Sequence, residues 1–191
     1  MKEENSEEED DSIYVETGKF ILETIVISAI IIGIPFLISG VWPPFVSVIS
    51  DSMEPNMTRG DMVFIVQNDR FTEKGSIDGI SVESQENRTG DVIVYYPNGN
   101  NSRTPVIHRA IMHVEEGENW VERADPEYLT SDSCTFTANC PAPNPGFVTL
   151  GDANSRYDQS ADLSAPVRSE WIVGKSQIKV PFVGWIRVGL S

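Results

Sequence analysis

Apolar residues fill positions 20–41 almost without interruption, and this block dominates the pattern of the first part of the chain. Only four of its positions are polar: Glu23, Thr24, Ser28 and Ser39. A helix of this length is about 30 Å long, which is the thickness of the hydrocarbon core of a bilayer. Trp42 follows directly, where aromatic rings favour the membrane interface. The pattern therefore predicts a single transmembrane anchor over residues 20–42.

Two other interpretations of this apolar block are weaker. A cleavable signal peptide would be shorter, would lack the acidic stretch ahead of it, and would end in a small-x-small cleavage site. No convincing site of that kind precedes Trp42-Pro43-Pro44. A core helix of a soluble domain would show a polar face, and residues 25–38 show none.

After Pro43 the pattern changes to short runs rich in Val, Ile, Tyr and Phe, separated by turn residues. Such runs are typical of β-strands, so residues 43–180 are predicted to form a mainly β domain. The predicted strands are residues 45–49, 61–67, 91–96, 105–114, 120–123, 147–150 and 170–180. Glu116-Gly117-Glu118 is predicted to be the turn of a hairpin between two of them. Residues 181–191 form a short apolar segment, too short to span a bilayer.

Charge changes this picture in two ways. Residues 1–19 hold eight acidic and two basic side chains, which predicts a solvated, disordered acidic tail. The net charge of the whole chain is −15, and residues 20–191 still carry −9. Such a surface repels nucleic-acid phosphates, so no nucleic-acid partner is expected. The acidity, with nine Arg to five Lys, suits a salt-rich medium, although an ordinary acidic protein is the alternative.

Cys134 and Cys140 are the only cysteines, with five residues between them. A disulfide would fit an oxidising side of a membrane, and two free thiols fit the sequence equally well. Two cysteines with no histidine nearby are too few for a structural zinc site. No glycine fingerprint for a nucleotide is present either, so neither a metal nor a cofactor is expected.

Serine hydrolysis is a kind of catalysis for which the sequence offers candidate residues. Such chemistry needs a hydroxyl, a base and an oxyanion donor. Ser52 follows an apolar run shortly after the anchor, and its backbone N–H is a candidate oxyanion donor. A lone serine in this context is more often a turn residue bonded to local backbone. The two histidines, His108 and His113, are five positions apart on one predicted strand, so they are expected to face opposite sides.

Five short segments favour a catalytic role for Ser52 because they occur together and in a fixed order. They are Ser52-Met-x-Pro, Gly60-Asp-Met-Val, Gly90-Asp-Val-Ile, Val106-Ile-His-Arg and Gly151-Asp-x-Asn-x-x-x-Asp158. In this ordered set the chain resembles signal peptidase I of the archaeal and endoplasmic-reticulum type, over residues 20–180. Bacterial-type members have a lysine at the position of His108, and this chain has no lysine between Lys74 and Lys175. It departs from the pattern at Ala153, where relatives commonly have Asn.

The resemblance implies a serine endopeptidase with a β domain of antiparallel strands and one N-terminal transmembrane helix. It implies Ser52 as nucleophile, His108 as general base and Asp158 as the acid that orients His108, with Asp152 supporting the same site. Arg109 is expected to point away from His108 and to pair with an acid. His113 is expected to be non-catalytic.

The resemblance also implies that the substrates are exported precursors, whose signal peptides are cut after small residues. Besides these precursors, the expected partners are membrane lipid and the secretory translocon. The catalytic domain is expected outside the plasma membrane because of this implied activity, since Lys19 favours an inside N-terminus only weakly. A bound leader would pair with strand edges near residues 45–51 and 105–108, where Ile49 and Val106 are candidates to line its pockets or to belong to the ordinary core.

Two different functions remain open from the sequence. One is a self-cleaving repressor or a dedicated maturation peptidase, which would typically pair serine with lysine. The other is a membrane-tethered binding or scaffold module whose site is inactive.

Overall fold

In a computed structural model, the described residues are 4–73, 75–83 and 89–184. The chain divides into a helical unit, Met1–Ile38, and a second unit, Ser39–Ser191, that carries the β-strands. The predicted segment 181–191 lies mostly outside the described residues.

The helical unit consists of one helix, α1, over Glu4–Ser39. Its part Glu16–Ser39 has a mean hydropathy of 2.5 and is the only helix among the described residues that is long and apolar enough to cross a membrane. Its apolar side chains are exposed, as at Phe20 and Leu37, each 71% exposed. An N-terminal apolar helix is therefore confirmed.

The beginning of α1 differs from the expected disordered tail, because the helix already starts at Glu4. The charge run predicts disorder from its composition, yet it contains neither Gly nor Pro before Gly18. It also continues directly into the apolar helix, so it extends an existing helix without the cost of a separate nucleus.

In the described part of the second unit, the strands form one six-stranded sheet in the order β1-β2-β6-β3-β4-β5, and every neighbouring pair is antiparallel. Its strands are β1 Phe45–Ser47, β2 Met62–Val66, β3 Val92–Tyr95, β4 Val106–Val114, β5 Gly146–Leu150 and β6 Ile172–Val180. The prediction of a mainly β fold with antiparallel strands is confirmed. All four residues of β3 are buried, and this strand lies in the middle of the sheet between β6 and β4.

The predicted strand over residues 120–123 is wrong, and with it the second arm of the predicted hairpin. Trp120–Glu122 is a short 3₁₀ helix, and both Trp120 and Val121 are buried, so the segment lacks the alternation of a strand. The turn at Gly117 is instead tied to Ala142, whose carbonyl accepts the Gly117 N–H at 2.8 Å. Strand β4 consequently pairs with β5 after a long irregular excursion over residues 115–145.

Cys134 and Cys140 are joined by a disulfide within this excursion. The sequence left this pairing open. Beside the disulfide, the Trp120 indole N–H donates to the Asn139 carbonyl oxygen at 2.8 Å, which ties the excursion to the buried 3₁₀ helix.

Candidate active site

Ser52 lies in a tight turn that follows β1 and is held from two sides. Within the turn, the Glu54 N–H donates to the Asp51 carbonyl at 3.1 Å and the Met57 N–H to the Met53 carbonyl at 2.8 Å. The Met53 side chain is fully buried and anchors the turn in the core. From the other side, the Ala153 N–H donates to the Ser52 carbonyl oxygen at 2.9 Å, which fixes the backbone that carries the hydroxyl.

The structure brings together the three residues predicted to be catalytic. His108 Nε2 lies 3.0 Å from Ser52 Oγ, and His108 Nδ1 lies 2.7 Å from Asp158 Oδ2. Both are hydrogen-bond distances. Because an ionised carboxylate can only accept, Nδ1 carries the proton in the neutral ring and Nε2 is free to accept from the serine hydroxyl.

His108 and Asp158 are held where water has little access, since His108 is 5% and Asp158 2% exposed. His108 projects from β4 opposite Ile93 of β3. Asp158 comes from the loop after β5, which is tied back to that strand by the Asp158 N–H donating to the Thr149 carbonyl at 2.9 Å. A charge buried in this way is costly unless hydrogen bonds satisfy it.

Two hydroxyls that the sequence analysis missed also reach Asp158. Tyr95 OH donates to Asp158 Oδ2 at 2.8 Å, and Thr149 Oγ1 donates to the same oxygen at 2.6 Å. Burial, and then the negative charge of Asp158, raise the pKa of the Tyr95 phenol well above its usual value. No local signal marks these two residues, because each belongs to a different strand and they meet only in the folded sheet.

Gly151 explains why the motif around Asp152 begins with glycine. A Cβ at this position would lie 2.8 Å from His108 Nε2 and 2.7 Å from the Ser52 carbonyl oxygen. Any side chain would therefore collide with the imidazole or with the backbone of the turn, and the absence of one lets the loop approach the hydroxyl–imidazole contact.

Asp152 lies on the other side of β4 and binds Arg109 rather than His108. Arg109 Nε donates to Asp152 Oδ1 at 2.8 Å and Nη2 donates to Oδ2 at 2.7 Å. Asn56 Nδ2 adds a third hydrogen bond to Asp152 Oδ2 at 2.7 Å. The expected pairing of Arg109 with an acid is confirmed. Since Asn56 closely follows the Ser52 turn, this cluster clamps that turn to β4.

The expectation that His113 faces away from His108 is wrong because β4 contains a bulge. Ala110 pairs with Thr149 and Met112 with Val148, so Ile111 is an extra residue on β4. The extra residue reverses the alternation beyond it, and His113 returns to the face that carries His108. There its ring packs edge-on against Phe147, with centroids 5.1 Å apart.

A groove of about 540 Å³ opens beside the Ser52 hydroxyl, and both candidate substrate-binding residues line it. Ile49 and Val46 come from the β1 side, while Val106 and Pro105 come from the start of β4. Ile49 is 52% exposed, so it does not belong to the core. The groove is mainly apolar and open, as an extended peptide requires.

Ser50 is a further group that sequence reasoning missed. Its Oγ also lines the groove and lies 3.1 Å from Ser52 Oγ. A second hydroxyl this close can donate a hydrogen bond to an oxyanion that forms at Ser52. As for metals, no group of three or more His, Cys, Asp or Glu that could hold an ion occurs among the described residues.

The chain is similar in sequence to several fungal proteins that are all named signal peptidase complex catalytic subunit sec11. No protein-family model matches the chain. A protein of Emericella nidulans named signal peptidase complex catalytic subunit sec11 is 28% identical over 78% of this chain and 66% of its own length. Its namesake in Penicillium rubens is 29% identical, over 78% of this chain and 62% of its own length. SEC11 of Saccharomyces cerevisiae is 26% identical, over 78% and 66% respectively. The chain thus spans just under two thirds of these relatives.

Proposed function

We propose that this chain is a membrane-anchored serine endopeptidase of the signal peptidase type, which removes N-terminal signal peptides from exported precursors after small residues. The observation that carries the proposal is the continuous hydrogen-bond chain from Ser52 Oγ through the His108 ring to Asp158 Oδ2. The similarity to proteins named as signal peptidase catalytic subunits supports the choice of substrate class.

The geometry supports a two-step acyl transfer. His108 Nε2 takes the proton of Ser52 as Oγ bonds to the carbonyl carbon of the scissile peptide, giving a tetrahedral oxyanion. The imidazolium then gives that proton to the leaving amine, which departs as the new N-terminus of the mature protein. Water attacks the remaining ester with His108 again as base. Asp158 holds the imidazole in one tautomer and stabilises its positive form.

The oxyanion would receive two hydrogen bonds from the Ser52 turn. One is from the Ser52 backbone N–H, as expected from the sequence. The other is from the Ser50 hydroxyl, which lies 3.1 Å from the attacking oxygen. Preorganised donors of this kind stabilise the charge that develops in the transition state.

The substrate would lie extended between the β1 side and the start of β4. Strand β1 ends the sheet, so one of its edges has unpaired backbone groups that can bind a peptide strand. Ile49 and Val106 would contact the side chains that point into the groove.

The membrane setting belongs to the same proposal. The apolar part of α1, Glu16–Ser39, would cross the plasma membrane once, with the catalytic unit on the extracytoplasmic side. Anchoring in the lipid that also holds the precursor, beside the translocon, would raise the effective substrate concentration. A haloarchaeal source would account for the charge of −15.

The alternative of a serine–lysine protease is less well supported by the geometry. Lys175 is buried, but its Nζ donates to the Gly79 carbonyl at 2.7 Å and lies 3.5 Å from Asp91 Oδ2. The base position next to Ser52 is filled by His108. A binding module with an inactive site could contain the same residues. Only a measurement of precursor cleavage distinguishes such a module from an active protease.

The test uses the purified full chain in detergent with a precursor that carries a signal peptide. The wild type is expected to release the leader at one bond, which mass spectrometry of both products locates. Ser52→Ala should abolish the release, whereas Ser102→Ala, in an exposed loop, should not change it. Leader binding without products, or cleavage by Ser52→Ala at the wild-type rate, would contradict the proposal.

A further inference from the structure

One oxygen atom, Asp158 Oδ2, accepts three hydrogen bonds. The donors are His108 Nδ1 at 2.7 Å, Tyr95 OH at 2.8 Å and Thr149 Oγ1 at 2.6 Å. The two hydroxyls themselves lie 3.3 Å apart, so the carboxylate oxygen is enclosed by donors.

The enclosing hydroxyls are part of the rigid sheet. Tyr95 belongs to β3 and Thr149 to β5, the two strands that flank β4 and its His108. Both side chains are fully buried. Their hydroxyls are therefore fixed by strand pairing and core packing, and the carboxylate is positioned from two strands as well as by its own loop.

These donors are neutral, and this matters for the imidazole. A guanidinium beside a carboxylate would cancel its charge, as Arg109 does for Asp152. Two hydroxyls stabilise the buried anion while leaving its full negative charge to act on the ring. Burial and the Asp158 charge raise the pKa of Tyr95, so its phenol remains a donor throughout the neutral range.

We propose that Tyr95 and Thr149 are positioning residues for the serine chemistry: their hydroxyls hold Asp158 Oδ2 in line with His108 Nδ1. This inference rests on the function proposed above. The two residues touch neither the substrate groove nor Ser52 in the described contacts, so they act through Asp158 and His108.

Loss of one hydroxyl has a defined consequence. The carboxylate keeps its charge but loses a donor, so it attracts the imidazole proton more strongly and favours the protonated ring. A larger fraction of the enzyme then has a protonated His108 at a given pH. Because the protonated ring cannot act as the base, the acid limb of the pH–rate profile moves to higher pH. Because neither residue lines the groove, kcat should fall while KM stays the same.

The experiment measures kcat and KM across pH for Tyr95→Phe and Thr149→Val, which remove one hydroxyl each and conserve shape. A lost hydrogen bond to a charged group predicts that kcat falls about tenfold in each, with KM within about twofold. Thr149→Ser restores the hydroxyl and should recover most of the rate. Tyr157→Phe is the matched control, because its buried hydroxyl accepts from the Asp125 N–H and does not touch Asp158.

A second readout does not depend on peptide cleavage. In a Ser52→Cys background, the alkylation rate of the introduced thiol reports how its proton is shared with His108. Adding Tyr95→Phe or Thr149→Val should shift the pH dependence of alkylation, and adding Tyr157→Phe should not. Circular dichroism checks that each variant is folded, and the Thr149 Val/Ser pair decides the matter if Tyr95→Phe does not fold.

The outcomes separate the two proposals. If folded Tyr95→Phe and Thr149→Val keep the wild-type kcat and acid limb, or leave the alkylation profile unchanged, the positioning role is contradicted while the protease assignment stands. If the wild type cleaves no precursor, the protease assignment fails, and the alkylation profile still tests the contact with Asp158.

Discussion

Two adjacent residues of β4, His108 and Arg109, each bind an aspartate of the same glycine–aspartate motif, but on opposite faces of the sheet. On the His108 face, the Asp158 carboxylate accepts from the imidazole and two hydroxyls. On the Arg109 face, Asp152 receives a guanidinium through two hydrogen bonds and the amide of Asn56. One pair is built around a group that can gain and lose a proton, and the other around a permanent cation.

The difference shows how one motif can serve both chemistry and support. A carboxylate held by neutral donors stabilises a positive charge that appears on the imidazole only during reaction. A carboxylate neutralised by arginine has no such charge to offer, but its planar double contact is geometrically specific. The Asp152–Arg109 pair therefore supports the turn that carries Ser52, and in the proposed mechanism the Asp158–His108 pair acts on the Ser52 hydroxyl.

Exchanging each aspartate for asparagine should give the largest difference in kcat between the two faces. Asp158→Asn should lower kcat by about 10³- to 10⁴-fold, because an amide disturbs the tautomer and removes the charge opposite the imidazole. Asp152→Asn should lower it by less than about tenfold, since it alters only the clamp on the turn. Leader release by each purified variant measures both effects. Equal losses in the two variants would show that the faces are not functionally distinct.

Removing the guanidinium should affect stability. Arg109→Met leaves Asp152 largely buried without its cation, and the free energy of unfolding should fall by about 3 kcal/mol. Chemical denaturation of the full chain in detergent measures it. The control is Arg168→Met, whose partner Glu170 is 3.5 Å away and 65% exposed, so that the change should stay below about 1 kcal/mol. A loss in Arg109→Met no larger than in the control would refute a structural role for the clamp.

A third aspartate, Asp61, offers a contrast to the two motif aspartates. It has a structural role, and its contribution to the stability of the fold depends on pH. Burial alone would raise the pKa of Asp61, but hydrogen bonds from the Thr58 and Phe182 N–H groups, with Lys179, lower it below the ordinary 3.8. A lowered pKa stabilises the fold above the unfolded-state value, and this stability is lost as the pH falls through the folded-state value.

The wild type should therefore be more stable than Asp61→Asn at pH 7 by about 1 kcal/mol, and this advantage should disappear towards pH 2. Denaturant titrations at several pH values follow the difference. A constant difference down to the lowest pH would mean that the Asp61 carboxylate does not contribute in this way.

The smallest expected effect concerns the second histidine. His113 shares a face with His108 but packs on Phe147 and lies 3.6 Å from the exposed Glu115. His113→Gln should leave leader release within about twofold of the wild type. A loss as large as that of His108→Gln would show that both histidines take part in the reaction.

The sequence could predict the residues whose chemistry is carried by their type and order. Ser52, His108 and Asp158 stand in ordered motifs, and the resemblance carried by those motifs implied their roles, while their distances come from the structure. The apolar helix and the six strands follow from runs with clear patterns, and the strand bounds differ from the predicted ones by one or two residues.

What the sequence could not predict depends on contacts between distant segments. The bulge at Ile111 reverses the side of His113, yet no residue there signals an insertion, because the bulge exists only relative to β5. Trp120 has a strand-like side chain, but tertiary burial overrides that preference. Tyr95 and Thr149 look like ordinary strand residues until Asp158 is placed between them.

The most direct test of the central claim asks whether His108 draws the proton from the group at position 52. Both native cysteines are joined in the disulfide, so Ser52→Cys introduces a single free thiol whose alkylation by iodoacetamide can be followed against pH. Alkylation is expected to be fast below pH 7, to drop at least about tenfold when His108→Ala is added, and to stay fast when His113→Ala is added instead. Equal alkylation rates with and without His108 across the pH range would contradict a proton transfer from position 52 to His108.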